Sequence, residues 1–156
     1  MMASLSRHAR PHAVLFACDH NAVRSPMAAG LFRQMFGRST YVASAGLRAG
    51  ELDAFAVAVL GELDIDISKH RPMTFAELDD WEGLNFDLIV TLSPEAHHRA
   101  LELTRTLAAE VEYWPTSDPT ATEGPRAQRL GAYREVRDQL AERIRMRFAA
   151  PLGGRE

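Results

Sequence analysis

The chain has 156 residues, a length that suits a single domain over residues 1–156. Its formal net charge of −3 at pH 7 excludes a general attraction to nucleic acid. Hydrophobic residues make up 46% and charged residues 25%, as in soluble globular proteins, and no apolar run approaches the ~20 residues that cross a membrane. The single cysteine excludes an internal disulfide and a paired-cysteine zinc site, so we expect a cytoplasmic protein without a metal.

Runs of strand length alternate with helical patterns along the whole chain. In chain order they predict a strand at 12–17, a helix at 26–36, a strand at 40–43, a helix at 53–63, a strand at 86–92, a helix at 94–110, a strand at 111–114 and a helix at 126–148. Ser25 and Pro26 suit the N-cap and first position of the first helix, and Asp53 suits the N-cap of the second. The alternation predicts a three-layer α/β fold, in which a four-stranded parallel sheet has helices on both faces.

The loop after the first strand, CDHNAVRSP, combines the only thiol with an arginine and a serine. Ligands of such sheets bind beyond the carboxyl ends of the strands, and the backbone N–H groups of residues 19–24 can curl into an anion nest. These dipoles and the Arg24 guanidinium favour a thiolate at Cys18, and Arg24 can clamp two phosphate oxygens. A lone cysteine is more often a buried structural residue, but Arg-Ser at one given offset from it arises by chance only once in about 200 such chains.

The pattern C-x5-R-S-P after a first strand resembles the phosphate-binding loop of the low-molecular-weight protein tyrosine phosphatases and the related arsenate reductases. Further segments occur in the family's order, namely SAG at 44–46, DISKH ending at 70, FDLIVTL at 86–92 and the Asp-Pro pair at 118–119. The resemblance covers nearly the whole chain. The segment after Trp114 resembles most closely the thioredoxin-coupled arsenate reductases.

The resemblance implies a role for each matching residue. Cys18 would be the nucleophile, Arg24 the phosphate clamp and Asp118 the general acid. The phosphate-binding loop would comprise Asp19, His20, Asn21, Ala22, Val23, Arg24 and Ser25. Ser25 would also donate to the thiolate, and Asn21 would hold the loop in shape through its partners Ser44 and His70. No metal and no organic cofactor is expected.

Several polar side chains have simpler explanations when they are considered alone. Asp118, in the segment TSDPT, suits the cap of a turn, although a carboxyl group beside a phosphate dianion also keeps its proton and can serve as an acid. His97 and His98 are adjacent on a predicted helix and point to different sides, so we expect solvent-facing or capping roles rather than metal ligation. Arg134 and Asp138 have the i,i+4 spacing of a surface ion pair.

Two features limit what the resemblance implies. Arsenate reductases that recycle internally need further cysteines, and Ser93 stands at the strand end where one would fall, so intramolecular arsenate reduction is excluded. Transfer of arsenate to an external thiol remains open. The aromatic side chains that flank phosphotyrosine in the family have no counterpart in LRAGELD or TATEG, and Trp114, which could contribute, lies before the second of these segments.

The leading hypothesis is a phosphomonoesterase of the protein tyrosine phosphatase type that works through a phosphocysteine intermediate. Its substrate would be a phosphorylated protein or a small phosphomonoester, with no nucleic acid or membrane as partner. The alternative is a single-cysteine, thiol-dependent arsenate reductase or arsenate–thiol transferase. A third hypothesis is a regulatory module that binds an anion without turnover. The physiological substrate, the oligomeric state and redox control of Cys18 stay open.

Overall fold

A computed structural model describes residues 10–149 and contains one parallel sheet flanked by helices. The strands are β1 (Ala13–Cys18), β2 (Tyr41–Gly46), β3 (Leu88–Thr91) and β4 (Glu110–Tyr113), ordered β2-β1-β3-β4. The helices are α1 (Arg24–Phe36), α2 (Ala54–Gly61), α3 (Phe75–Glu82), α4 (Pro94–Leu103) and α5 (Arg126–Phe148), with a 3-10 turn at Pro119–Ala121. The predicted three-layer fold with a four-stranded parallel sheet is therefore confirmed.

The two faces of the sheet bury different helices. Val14 and Phe16 of β1 belong to a core built with α1, α2 and α5, whereas Leu15 and Ala17 belong to a second core built with α3 and α4. Neighbouring residues of a strand point to opposite faces, so one apolar run supplies both cores. Within residues 10–149, no helix is both long enough and apolar enough to span a membrane.

Several predicted boundaries differ from the observed ones, and one helix was not predicted. Helix α1 begins at Arg24 with Val23 at the N-cap, so the predicted capping role of Ser25 is wrong, because the Ser25 hydroxyl is used by the thiol of Cys18 instead. Helix α4 ends at Leu103, well before residue 110. The sequence prediction missed α3, although Thr74 and Glu77 form a capping box that marks its start.

Ion pairs join α5 to the end of α2. Arg134 donates from Nε and Nη2 to the Glu62 carboxylate at 2.7 to 3.1 Å, and Arg137 donates to the same carboxylate at 2.8 Å. Asp138 pairs with Arg137 and not with Arg134. The predicted Arg134–Asp138 pair is wrong because Glu62, on the neighbouring helix, offers Arg134 a bidentate partner.

We expect Glu62→Gln to reduce the acid sensitivity of the fold. The hydrogen bonds from Arg134 and Arg137 lower the pKa of Glu62 from 4.5 to about 2. Because the carboxyl group binds fewer protons when folded, its contribution to stability is present above pH 4.5 and is lost as the pH falls towards 2. Urea unfolding should therefore show the variant less stable than the wild type at neutral pH and equally stable near pH 2.

A matched control separates this ion pair from general surface charge. Glu142→Gln removes an exposed carboxylate that pairs with Arg145 within α5 alone. We expect a smaller effect, because an exposed i,i+3 pair contributes little. High salt should shrink the Glu62→Gln difference by screening. An unchanged difference from neutral pH to pH 2 would contradict the assignment.

Candidate active site

The loop that follows β1 has its carbonyl groups turned away from its concave side. The carbonyls of Cys18, Asp19, His20 and Ala22 accept hydrogen bonds from the backbone N–H groups of Leu47, Arg48, Gly50 and Asp53, respectively. The remaining carbonyl, that of Asn21, contacts Nε2 of His70 at 3.2 Å. A trans peptide unit directs its N–H opposite to its C=O. The N–H groups of residues 19–23 therefore face the other side, and this is the arrangement that an anion nest requires.

Asn21 fixes the shape of this loop. Its φ is +54°, a left-handed conformation that asparagine tolerates better than most residues. The buried amide makes four hydrogen bonds: Nδ2 donates to Ser25 and Ser44 at 2.9 Å each, and Oδ1 accepts from Met73 N–H at 2.9 Å and faces His70 at 3.1 Å. All four hydrogen-bonding positions of the amide are thus occupied.

His70 supports the same residue from outside the loop. Its Nε2 faces two acceptors, the carbonyl oxygen and Oδ1 of Asn21, so Nε2 carries the proton. Burial lowers the pKa of His70, and the charge of Arg33 lowers it further, although the hydrogen bond to the Asn21 backbone opposes the shift. The ring is consequently a neutral donor, which suits a structural role.

Gly46 allows the second strand to lie against this loop. A Cβ at this position would stand 2.8 Å from the backbone nitrogen of Asn21 and 3.1 Å from the carbonyl oxygen of Asp19. Both atoms belong to the backbone, so neither moves aside easily. The end of the SAG segment thus brings β2 close to the back of the loop.

The thiol of Cys18 lies at the base of the nest and has two donors beside it. Ser25 Oγ is 2.9 Å from Sγ, and the Ser25 N–H donates to Sγ at 3.3 Å. Because Ser25 Oγ already accepts from Asn21, its own proton is left to donate, and the sulfur is closer than the alternative acceptor, the Ala45 carbonyl at 3.5 Å. This arrangement stabilises negative charge on sulfur.

Arg24 is held from two sides at the start of α1. Its Nη1 donates to the carbonyl of Thr116 at 2.9 Å, and its Nη2 donates to the carboxylate of Asp19 at 3.3 Å. The Arg24 side chain is 9% exposed. The guanidinium therefore bridges the loop after β1 and the segment after β4.

A cavity of about 210 Å³ opens above the nest. Its floor is formed by Cys18, His20, Ala22, Val23 and Arg24. Asn21 and Ser25 lie behind this floor, as do Ser44 and His70, which contact Asn21. The predicted loop residues are thus gathered at one place, except that Asp19 is not among the cavity-lining residues.

The rim of the cavity is acidic. Asp118 lines it together with Glu51, Asp53 and Thr120, and Asp118 Oδ1 accepts from the N–H and hydroxyl of Thr120 at 3.0 and 2.7 Å. Sequence reasoning missed Glu51, Asp53 and Thr120 as rim residues. The sequence indicated only that Asp53 caps a helix and did not indicate that it also lines the cavity.

Tyr133 of α5 supports the rim from below. Its hydroxyl donates to Asp53 Oδ2 at 2.7 Å, and the phenol is buried. Burial and the negative charge of Asp53 raise the pKa of Tyr133, so it stays a donor at neutral pH. This contact between distant parts of the chain has no sequence signature.

The other candidates lie away from the cavity. Trp114 is buried against Phe16 and Phe148 and does not line the cavity, so it forms no aromatic wall there. His97 stacks on Tyr113 with ring centroids 4.7 Å apart, which corrects its predicted solvent-facing or capping role. In the part of the chain that the structure describes, no group of three or more His, Cys, Asp or Glu residues is arranged to hold a metal ion.

Comparison with known proteins agrees with this geometry. An arsenate reductase of Bacillus licheniformis is 33% identical over 137 residues, which cover 87% of this chain and 94% of that protein. The low molecular weight protein tyrosine phosphatase of T. tengcongensis superposes with a TM-score of 0.68 at 27% identity, covering 85% of this chain and 94% of that one. The arsenate reductase of Archaeoglobus fulgidus has a TM-score of 0.63 at 30% identity, covering 85% and 96%. The family model for low molecular weight phosphotyrosine protein phosphatase matches residues 13–152, and the chain belongs to that family.

Proposed function

We propose that the protein hydrolyses phosphomonoesters through a phosphocysteine intermediate. The observation that supports the proposal is that Cys18, Arg24 and Asp118 all line one cavity, beside a loop whose carbonyl groups are held on its other side. A nucleophile, an anion clamp and a proton donor at one site are the parts that phosphoryl transfer requires.

The first step forms a bond from Cys18 Sγ to phosphorus and breaks the bond from phosphorus to the ester oxygen. Asp118 gives its proton to that oxygen, which leaves as an alcohol or phenol. Arg24 and the N–H groups of the nest stabilise the charge that spreads over the phosphoryl oxygens. The hydroxyl of Ser25, 2.9 Å from sulfur, stabilises the thiolate before the attack.

The second step returns the enzyme to its starting state. Asp118, now a carboxylate, takes a proton from water as the water oxygen attacks phosphorus. The bond from sulfur to phosphorus breaks, inorganic phosphate leaves, and the Cys18 thiolate is regenerated. No electron is transferred and no second thiol is needed, which fits a chain with one cysteine.

A phosphotyrosine substrate receives less support than phosphomonoesters in general. Among residues 10–149, no phenylalanine, tyrosine or tryptophan lines the cavity. An aryl ring would therefore lack the stacking contacts that favour it. The acidic rim instead favours substrates whose leaving group carries no negative charge beside Glu51 and Asp53.

Arsenate reduction with an external thiol is the second candidate, because curated relatives such as that of Bacillus licheniformis are named arsenate reductase. Cys18 would displace water from arsenate and form a sulfur–arsenic bond. One external thiol would then form a mixed disulfide with Cys18 as arsenite leaves, and a second would release the two external thiols as a disulfide and restore Cys18. The anion nest would bind arsenate as it binds phosphate. Ser93 offers no thiol for this step.

We expect Cys18→Ser to abolish hydrolysis of p-nitrophenyl phosphate, because an alcohol beside Arg24 is a far weaker nucleophile than a thiolate. Steady-state release of p-nitrophenol in the presence of a chelator measures this. Ala29→Ser, in the buried part of α1, is a control for substitution near the site. Turnover by purified Cys18→Ser at the wild-type rate would overturn the mechanism.

We expect the rate that Asp118→Asn loses to depend on the leaving group of the substrate. Loss of a general acid costs roughly 10²- to 10⁴-fold in kcat/KM, which reports the first step alone, and the cost is greatest when the leaving oxygen is strongly basic. Phenyl phosphate should therefore lose much more rate than p-nitrophenyl phosphate. An equal loss with both substrates would remove Asp118 from the role of proton donor.

The same preparation separates the two candidate functions. Arsenate is added with glutathione, with mycothiol or with thioredoxin and its reductase, and oxidation of the thiol is followed with wild type and Cys18→Ser. We expect phosphatase turnover without arsenate-dependent thiol oxidation. Thiol oxidation that requires Cys18, in a protein that does not hydrolyse phosphomonoesters, would favour the reductase.

A further inference from the structure

The side chain of Asp19 connects Arg24 to the end of a different strand. One carboxylate oxygen accepts from Arg24 Nη2 at 3.3 Å, and the other accepts from Ser93 Oγ at 2.6 Å. Asp19 is 26% exposed and is not among the residues that line the cavity. Its carboxylate therefore contacts the phosphate clamp without facing the substrate.

Ser93 is a firm anchor for this carboxylate. It is buried, follows β3 and caps α4, where its Oγ accepts from the N–H of Ala96 at 3.3 Å. Because the hydroxyl oxygen accepts from Ala96, its single proton is left for Asp19. The position of the Asp19 carboxylate is thereby tied to the sheet and to α4.

We propose that Asp19 is a positioning residue that holds the Arg24 guanidinium ready for the phosphoryl group through its anchor on Ser93. The proposal rests on the proposed phosphatase function for its kinetic consequence, but its effect on anion binding does not. A free arginine side chain loses rotamer entropy when it is fixed on an anion, and holding it in place before binding reduces that cost. The carbonyl of Thr116 fixes the other side of the guanidinium.

The arrangement has an electrostatic cost, which makes it testable. A carboxylate beside Arg24 offsets part of the positive charge that attracts an anion. Charge alone thus predicts that removing Asp19 improves catalysis and anion binding. Positioning predicts that catalysis becomes worse, because a displaced clamp no longer stabilises the transition state.

Ser93→Ala is the decisive variant because it removes the anchor and leaves every charge in place. We expect kcat for p-nitrophenyl phosphate to fall roughly 10-fold or more, as for a misplaced catalytic group. Ser93→Thr keeps the hydroxyl and should recover most of that loss. A kcat within twofold of wild type in Ser93→Ala, or an equal loss in Ser93→Thr, would overturn the proposal.

Asp19→Asn provides the second arm. We expect a loss in kcat of similar size, and the double variant with Ser93→Ala should lose no more than Asp19→Asn alone, because the two residues act in series. Glu142→Gln is the matched control, since it removes an exposed carboxylate that pairs with Arg145 and does not line the cavity. A kcat of Asp19→Asn above that of the wild type would assign the effect to charge, and additive losses in the double variant, or an equal loss in Glu142→Gln, would contradict the positioning role.

Anion binding provides a measurement that does not depend on turnover. Inorganic phosphate should protect Cys18 from alkylation by iodoacetamide, and Ser93→Ala should need a several-fold higher phosphate concentration for half-protection, whereas Ser93→Thr should not. A wild type that is protected by phosphate but hydrolyses no phosphomonoester would refute the proposed function alone. Equal protection of wild type and Ser93→Ala would refute the role of Asp19 alone.

Discussion

The buried amide of Asn21 is the interaction on which the rest of the site depends. It joins the loop to three other pieces of chain: the start of α1 through Ser25, the end of β2 through Ser44, and the approach to α3 through His70 and Met73. Leaving one such buried polar group unpaired costs about 1–3 kcal/mol. The left-handed backbone of Asn21 persists because its partners in the surrounding structure fix it.

Much of the fold and of the nest followed from the sequence, because both depend on local patterns. Apolar runs and their spacing predicted the four strands and the sheet, and C-x5-R-S-P predicted the loop that gathers Cys18 and Arg24. The helix α3 was missed although its capping box was visible, because eight residues give little periodicity. The prediction that Ser25 is the N-cap of α1 is wrong because its hydroxyl contacts the Cys18 thiol instead, and this contact exists only once the loop is folded.

The contacts that cross the molecule were not predictable from the sequence. Arg134 forms an ion pair with Glu62 instead of with a residue of its own helix, and the Tyr133 hydroxyl donates a hydrogen bond to Asp53. The partners in each pair lie far apart in the sequence, so no local pattern indicates that they are in contact. Ser93 is the most instructive case: its position suggested only the absence of a second thiol, whereas its hydroxyl reaches the carboxylate beside the arginine clamp.

The segment 47–53 contributes to the site chiefly through its main chain. Its main-chain N–H groups donate hydrogen bonds to the carbonyl groups of the loop. Such hydrogen bonds do not depend on which side chain the donor residue carries. The side chains on the rim, such as that of Glu51, can therefore be substituted without loss of the main-chain hydrogen bonds that fix the conformation of the loop.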